Sequence, residues 1–427
     1  MDLPAQDPEQ SLAGRGIYLD WNATTPPCPE VLEAMREASS AAWANPASVH
    51  AFGRQARAWV ERAREAVAAL TGFDARDVVL TSGGTEANNL ALLLAEGPLA
   101  RAPAPAPSRG RPRREDQVRS APSAAATSVG IVVSRIEHPS ILRMAEALAG
   151  RGVRVTWVDP TPEGFISPEA LEDAIDRAAL EAEIRLVVLQ AVNHETGVIQ
   201  PIAEAAALAH ARGALLHVDA IQAAGRLSPE VWAGADLVSI AAHKMRGPKG
   251  IGALATKPGI RLRALLVGGQ QEKGLRPGTQ DASLSAGFAV AAERAPSGPA
   301  RYAAVEALRD RLEADLLRAG EELLRISPLR NGTARRAPHV TNLSWPGWRG
   351  DELCAALDLE GVAVSSGSAC SAGTAEPSPV LRAMVGEARA SSAVRVSLGE
   401  ETSQAEIDEA VRRWRRVLSR SASTLAT

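Results

Sequence analysis

The chain has 427 residues, of which 45% are hydrophobic and 23% charged, with a formal net charge of −3. That size and balance allow a substantial buried core, exclude disorder throughout, and give no global bias toward nucleic acid or an anionic membrane. Cys28, Cys354 and Cys370 are widely spaced and odd in number, so neither a disulfide framework nor a paired-cysteine zinc site is expected, and no metal is assigned. Met1 to Gln10 is polar and slightly acidic, without a secretory or transit pattern. No apolar run approaches the roughly 18 residues of a membrane span. The expectation is a cytoplasmic protein with neither a membrane nor a nucleic-acid partner.

In chain order, apolar spacing predicts helices over Glu30–Ser39 and Gln55–Leu70, a strand over Val78–Thr81, and a strand over Gly130–Ser134 followed by a helix over Ile141–Ala149. The alternation continues with a strand at Val153–Val158, a helix at Ser167–Ala179, a strand at Arg185–Leu189, a helix at Ile202–Ala211 and a strand at Leu215–Val218. Strands at Leu237–Ala241 and Ile251–Thr256 complete the pattern of an α/β domain with a mostly parallel, buried sheet. After Gly287 the texture changes. One amphipathic helix is predicted over Arg301–Arg325, then strands at His339–Ser344 and Val394–Leu398, as in a smaller α+β unit. The division is residues 17–287, whose first stretch could pack on the smaller unit, and residues 288–427. Residues 100–128, rich in Pro, Ala and Arg, read as a solvated insertion whose basic cluster Arg109–Arg114 is a linker charge or an anionic contact.

Three segments at predicted strand ends carry chemistry. Lys244 follows the strand Leu237–Ala241 and precedes glycines. It is either a surface charge or, if desolvated near other cations, a Schiff-base lysine. Asp219 ends the strand that starts at Leu215, with Gln222 soon after, and a carboxylate there can keep the pyridine nitrogen of pyridoxal phosphate protonated. Thr81-Ser-Gly-Gly-Thr-Glu joins a strand to a helix. It is a plain turn or a phosphate cradle in which Gly84 lets backbone N–H groups approach and Thr85 adds a hydroxyl. Taken alone each is weak, but the three in this order are jointly much more specific for a pyridoxal-phosphate enzyme.

The sequence resembles the aminotransferase class V family, specifically the cysteine desulfurases that supply sulfur for iron–sulfur clusters and nitrogenase. The resemblance runs from Tyr18-Leu-Asp-Trp-Asn-Ala-Thr-Thr-Pro to about Ser403 and includes Asn45-Pro-Ala-Ser-Val-His, Glu137-His-Pro-Ser-Ile-Leu, Asn193-His-Glu-Thr-Gly-Val-Ile-Gln-Pro and Gly268-Gly-Gln-Gln-Glu-Lys-Gly-Leu-Arg-Pro-Gly-Thr. Ser365-Ser-Gly-Ser-Ala-Cys-Ser is similar to that family's catalytic-cysteine loop. The resemblance implies pyridoxal-phosphate fold type I. It also implies that His138 stacks on the cofactor ring and exchanges protons, that His243 contacts the phosphate, and that Arg395 clamps the substrate carboxylate. It further implies that Thr279 reaches the cofactor phosphate of a neighbouring subunit in a homodimer. Cys370 would take sulfur from L-cysteine as a persulfide and pass it to an acceptor such as an iron–sulfur scaffold protein. Cys354 reads as core and Cys28 as a loop residue without a role, while His50, His210, His217 and His339 read as structural or surface residues.

Two positions depart from the commoner family pattern. His194 stands where an asparagine usually meets the cofactor and substrate, and Ala241 where a serine hydroxyl usually reaches the phosphate. A lost hydroxyl there weakens cofactor retention by about 1–3 kcal/mol if nothing replaces it. The sequence also ends soon after Arg412-Arg-Trp-Arg-Arg-Val-Leu, short of the extension with which many relatives dock a scaffold. Rival readings are a selenocysteine lyase or aminotransferase on the same fold, or a cofactor-binding regulator that has lost turnover.

Overall fold

The computed structural model describes residues 16–96, 128–318, 324–327, 334–367 and 377–425. Cys370 and, Ser128 apart, the 100–128 segment lie outside them. The strands are β1 (Ile17–Tyr18), β2 (Val78–Thr81), β3 (Val129–Ser134), β4 (Arg154–Val158), β5 (Glu183–Gln190), β6 (Leu215–Asp219), β7 (Leu237–Ala241), β8 (Gly252–Thr256), β9 (Leu324–Arg325), β10 (Val340–Ser344), β11 (Val362–Ala363) and β12 (Ala393–Ser397). The helices are α1 (Pro29–Ala41), α2 (Ala51–Thr71), α3 (Gly84–Leu92), α4 (Pro139–Ala149), α5 (Pro168–Ala179), α6 (Ile202–Ala211), α7 (Ala282–Arg294), α8 (Gly298–Leu317), α9 (Gly350–Leu359), α10 (Pro379–Val385), α11 (Glu387–Ser391) and α12 (Gln404–Leu425).

A seven-stranded sheet in the order β2-β8-β7-β6-β5-β3-β4 forms the centre. Neighbours from β7 through β4 pair in parallel, and β8 alone runs against the rest, antiparallel to both β7 and β2. Away from the β4 edge the strands are largely buried runs, with every residue of β2, β7 and β8 out of solvent, because helices cover both faces. One face packs the apolar sides of α2, α5 and α6 through Val67, Leu171 and Ala205. The other packs α3 and α4 through Leu90, Ile141 and Leu148.

A separate apolar cluster unites Tyr302 and Leu312 of α8, Leu343 of β10, Leu353 of α9, Val394 of β12 and Trp414 of α12. Ile17 and Leu19 join it, because β1 pairs in parallel with β11. The N-terminal stretch thus packs with the C-terminal elements before the chain enters the large sheet. Gly287 lies within α7 rather than between elements, tight against Met35 of α1.

The structure corrects the long helix predicted over Arg301–Arg325. Helix α8 stops at Leu317, and Leu324–Arg325 instead pairs as a strand with Leu343–Ser344. Helical spacing persists in the sequence past the true end, but ladder pairing with β10 takes the last two residues. Cys28 also differs from a plain loop residue: it is the N-cap position of α1 and only 1% exposed. Pro29 starts the helix behind it and turns its side chain into the core. No helix among the described residues is long and apolar enough to cross a membrane.

Candidate active site

In an open parallel sheet the carboxyl ends of the strands leave a crevice for ligands. Here the ends of β2, β3, β5, β6 and β7 deliver Gly84 and Thr85, His138, Gln190, Asp219 and Lys244 to one cavity of about 190 Å³. His194, Gln222, His243, Ala241 and Arg395 line it too, as do Asn22 and Ala23 from the segment after β1. Nine of the sequence-predicted site residues therefore meet in one place. Thr279 does not; it borders a different cavity with Thr81, Gly250 and Ser285.

At one end, Gly83 with φ +155° turns the chain from β2 into α3, which presents a helix N-terminus to the cavity at Gly84 and Thr85. His243 lies at the same crevice, its Nδ1 3.1 Å from Thr24 Oγ1. Burial and the neighbouring Lys244, Arg226 and Lys249 hold its imidazole down to about 4, hence neutral at physiological pH. Ala241 contributes no hydroxyl.

Asp219 is buried, and its Oδ2 accepts from Asn88 Nδ2 at 2.8 Å while Oδ1 accepts from the Ile221 N–H at 2.9 Å. Burial nevertheless raises its carboxyl above the usual range, opposed by those bonds and by His194 and Lys244. A cationic ring nitrogen would supply the countercharge that this burial calls for. Lys244 Nζ donates to Ala23 O at 2.8 Å and to Asn22 O. Gln222 donates to the same Asn22 carbonyl at 3.1 Å and accepts from the buried Arg226.

His138 is the N-cap of α4, where its Nδ1 accepts from the Ser140 N–H at 3.1 Å. Its ring meets that of His194 edge-on, with centroids 5.3 Å apart. Burial, followed by His194 and Lys244, lowers His138 to about 3. Neither ring nitrogen of His194 has a hydrogen-bond partner among the described residues. Arg395 spends Nη2 on Asp20 Oδ1 at 2.7 Å and Nη1 on His194 O at 3.1 Å, while Nε is buried with no partner among the described residues. Buried donors left this way are rare without a ligand to satisfy them. The cavity therefore offers an anion site, a carboxylate for a cationic ring, an amine for an aldehyde and an arginine for a substrate carboxylate. That set fits a phosphorylated pyridine aldehyde carrying an amino acid. Among the described residues no group of His, Cys, Asp and Glu is arranged to hold a metal ion.

Other residues fall into place around this site. Asn22, to which the sequence reading gives no role, is a buried junction: its Nδ2 donates to His194 O at 3.0 Å and its Oδ1 accepts from Arg226 and His339. Its position inside the Tyr18–Pro26 motif was the available signal. His50 caps α2, His210 bonds Asp236 at 2.7 Å, and His217 bonds Ser239 at 2.9 Å in the core. Cys354 is partly buried against the C-terminal core, and burial pushes its thiol up to about 12.

These buried imidazoles set an acid limit. The pKa of His138 and of His217 falls from 6.5 to about 3 and that of His243 to about 4, all chiefly through burial. A folded value below the unfolded one contributes stability that is present above 6.5 and lost as pH falls through the folded value. Glu137, buried beside Ser134 and Gln190, is pushed by burial up to about 8, and its contribution is lost in the opposite direction as pH rises from 4.5. Burial likewise raises Asp219 and lowers His339, so with four histidines against two carboxyls the melting temperature should drop from pH 6.5 to pH 4. His217→Gln, outside the cavity, should make that decline shallower. A melting temperature unchanged across this range would refute the account.

The aminotransferase class-V family matches residues 17–101 and 119–410. The chain is 41% identical over 403 residues to a cysteine desulfurase IscS of Anaeromyxobacter sp. (strain Fw109-5), covering 93% of this chain and 91% of that one. A cysteine desulfurase of Bradyrhizobium diazoefficiens is 38% identical over 404 residues, covering 92% of each. Among solved structures, a NifS-like protein superposes with a TM-score of 0.79 at 30% identity, covering 95% of this chain and 99% of its own. SspA in complex with cysteine superposes at 0.69 and 29% identity, covering 89% and 98%. The chain belongs to the aminotransferase class-V family, in its cysteine desulfurase group.

Proposed function

We propose that this chain is a pyridoxal-phosphate-dependent cysteine desulfurase that converts L-cysteine to L-alanine and keeps the sulfur as a persulfide on Cys370. The observation that carries the reading is the convergence of Lys244, Asp219, Arg395 and the α3 N-terminus on one cavity. The cofactor, when bound, supplies the electron sink that stabilises negative charge at the substrate α-carbon. Gly84, Thr85 and His243 would hold its phosphate, Asp219 its ring nitrogen, Gln222 and His194 its polar edge, and Lys244 its aldehyde carbon. His138, held neutral by burial, would serve as the partner of its ring.

Arg395 binds the substrate carboxylate through the edge that Asp20 and His194 O leave open. Lys244 Nζ takes the α-proton and returns it. The Cys370 thiolate attacks the substrate sulfur, so that an S–S bond forms as the C–S bond breaks, and alanine leaves. The persulfide then passes to an acceptor protein such as an iron–sulfur scaffold.

We further read the molecule as a cytoplasmic homodimer in which Thr279 serves the partner's phosphate site. Exposed apolar side chains such as Trp43, Phe52 and Val267 support a covering subunit. Two units, 17–287 and 288–427, fit the separate C-terminal core, with the change of packing partners nearest the end of α7. The test is incubation with L-cysteine and a reductant. Equal release of alanine and sulfide supports desulfuration, and release of neither makes the chain a regulator without turnover.

A further inference from the structure

Glu195 follows His194 in the turn between β5 and α6 and is 1% exposed. Its backbone is fixed. The Glu195 and Thr196 N–H groups donate to Asn193 Oδ1 at 3.0 and 2.9 Å, and Asn342 Nδ2 donates to Glu195 O at 3.2 Å. The carboxylate has two different surroundings. Oε1 accepts from the Ser378 hydroxyl at 2.6 Å and lies 3.4 Å from His194 Nε2. Oε2 has no hydrogen-bond partner among the described residues.

Gly367 and Ser378 are described residues on either side of the segment that contains Cys370. Gly367 has φ +133°, and a Cβ on it would sit 3.5 Å from Glu195 Oε2 and 3.5 Å from Ser378 Cβ. Both flanks of the segment therefore meet over one carboxylate. Each is also tied elsewhere. Ser365 exchanges backbone hydrogen bonds with Arg395 at 2.6 and 3.2 Å, and Ser378 Oγ accepts from the Val380 and Leu381 N–H groups at the start of α10. A buried carboxylate whose only ion-pair neighbour among the described residues is a histidine is costly to keep. An apolar side chain of similar volume would fill the same space without that penalty.

We propose that Glu195 is a positioning residue for sulfur transfer: its carboxylate, beside His194, holds Ser378 by a hydrogen bond and backs Gly367, so that the two flanks stay side by side. The Cys370 segment then leaves and re-enters the fold at a fixed place beside the cavity wall that holds Arg395. Binding of L-cysteine uses Arg395 and the cofactor and needs no such join. Attack on the substrate sulfur does need it, since small misplacements of a nucleophile cost large factors in rate. The proposal rests on Cys370 being the sulfur acceptor.

The test uses the holoenzyme and reads two quantities: the L-cysteine concentration giving half the change in the visible band, and the single-turnover rate of persulfide formation on Cys370. Glu195→Ala and Ser378→Ala should slow persulfide formation on the order of tenfold or more, with the half-saturating concentration within about twofold of the parent. Glu195→Gln, which keeps an acceptor for Ser378, and Ser378→Thr, which keeps the hydroxyl, should recover most of the rate. Persulfide formation within about twofold of the parent in both alanine variants, or an equal loss of binding and rate, overturns the proposal. If Glu195→Ala does not fold, Ser378→Ala against Ser378→Thr decides by the same criteria. A parent enzyme that forms no persulfide on Cys370 overturns the functional reading itself, and that is seen before any substitution is made.

Discussion

Cys370→Ser should bind the cofactor and show the normal spectral change with L-cysteine, yet form no persulfide and release alanine at a rate lower by on the order of a hundredfold or more. Serine preserves the size and polarity of the position, and neither cofactor nor substrate binding calls for a thiolate. Sulfur transfer does, because a hydroxyl at neutral pH is a poor nucleophile toward sulfur and cannot hold it afterwards. The other two cysteines cannot substitute. Cys28 is buried in the core behind α1, and burial pushes the Cys354 thiol up to about 12. A lyase that eliminates sulfur without a covalent acceptor would keep most of its turnover in this variant. Alanine production by Cys370→Ser near the parental rate would defeat the desulfurase mechanism while leaving the cofactor assignment intact.

Lys244→Ala should lose the visible absorbance of the covalently held cofactor after dialysis, and with it turnover, by on the order of a thousandfold or more. Among the described residues no other lysine lines the cavity, so no second amine stands ready at the aldehyde. Lys244→Arg is the sharper version. It keeps a cation near the Asn22 and Ala23 carbonyls, but a guanidinium neither joins an aldehyde nor shuttles a proton at neutral pH. Both variants should retain the phosphate site proposed at Gly84, Thr85 and His243, so that the free cofactor still binds weakly and reversibly. Absorbance that survives dialysis in either variant would remove Lys244 from its role.

The sheet and the strand-end residues were legible because both depend on short stretches of chain. Val78–Thr81, Ile202–Ala211 and Leu237–Ala241 are found at their predicted limits, since continuous apolar runs and helical spacing are local signals. Asp219 and Lys244 could be singled out because each follows such a run. Asn22 is marked only by its place in the Tyr18–Pro26 motif. Its carbonyl receives Lys244 Nζ from 222 positions away, and its side chain joins His194, Arg226 and His339 from distant parts of the chain. Glu195 stands inside the Asn193–Pro201 motif without a legible task, since its neighbour Ser378 is 183 positions away in sequence. The overshoot of α8 has the same origin: the strand β9 exists only where β10 is present to pair with it.

The entry of the chain through the C-terminal core has a consequence for the order in which the molecule is made. Leu19, Trp21 and Asn22 are held by β11 and β12: Leu19 N bonds Ala363 O, Trp21 N bonds Ser397 O, and Asn22 N bonds Ser397 Oγ across 375 positions. Asn22 must therefore wait for Ser397, which is synthesised 375 positions later. By then the large sheet, with Asp219 and Lys244, is already synthesised and able to collapse as a unit. Until β12 appears, however, the Asn22 and Ala23 carbonyls that receive Lys244 have no fixed address, and Arg395 does not exist. A nascent chain, or one truncated before β12, is thus kept from displaying a reactive lysine in working order, and completion of the active site is tied to the arrival of β12.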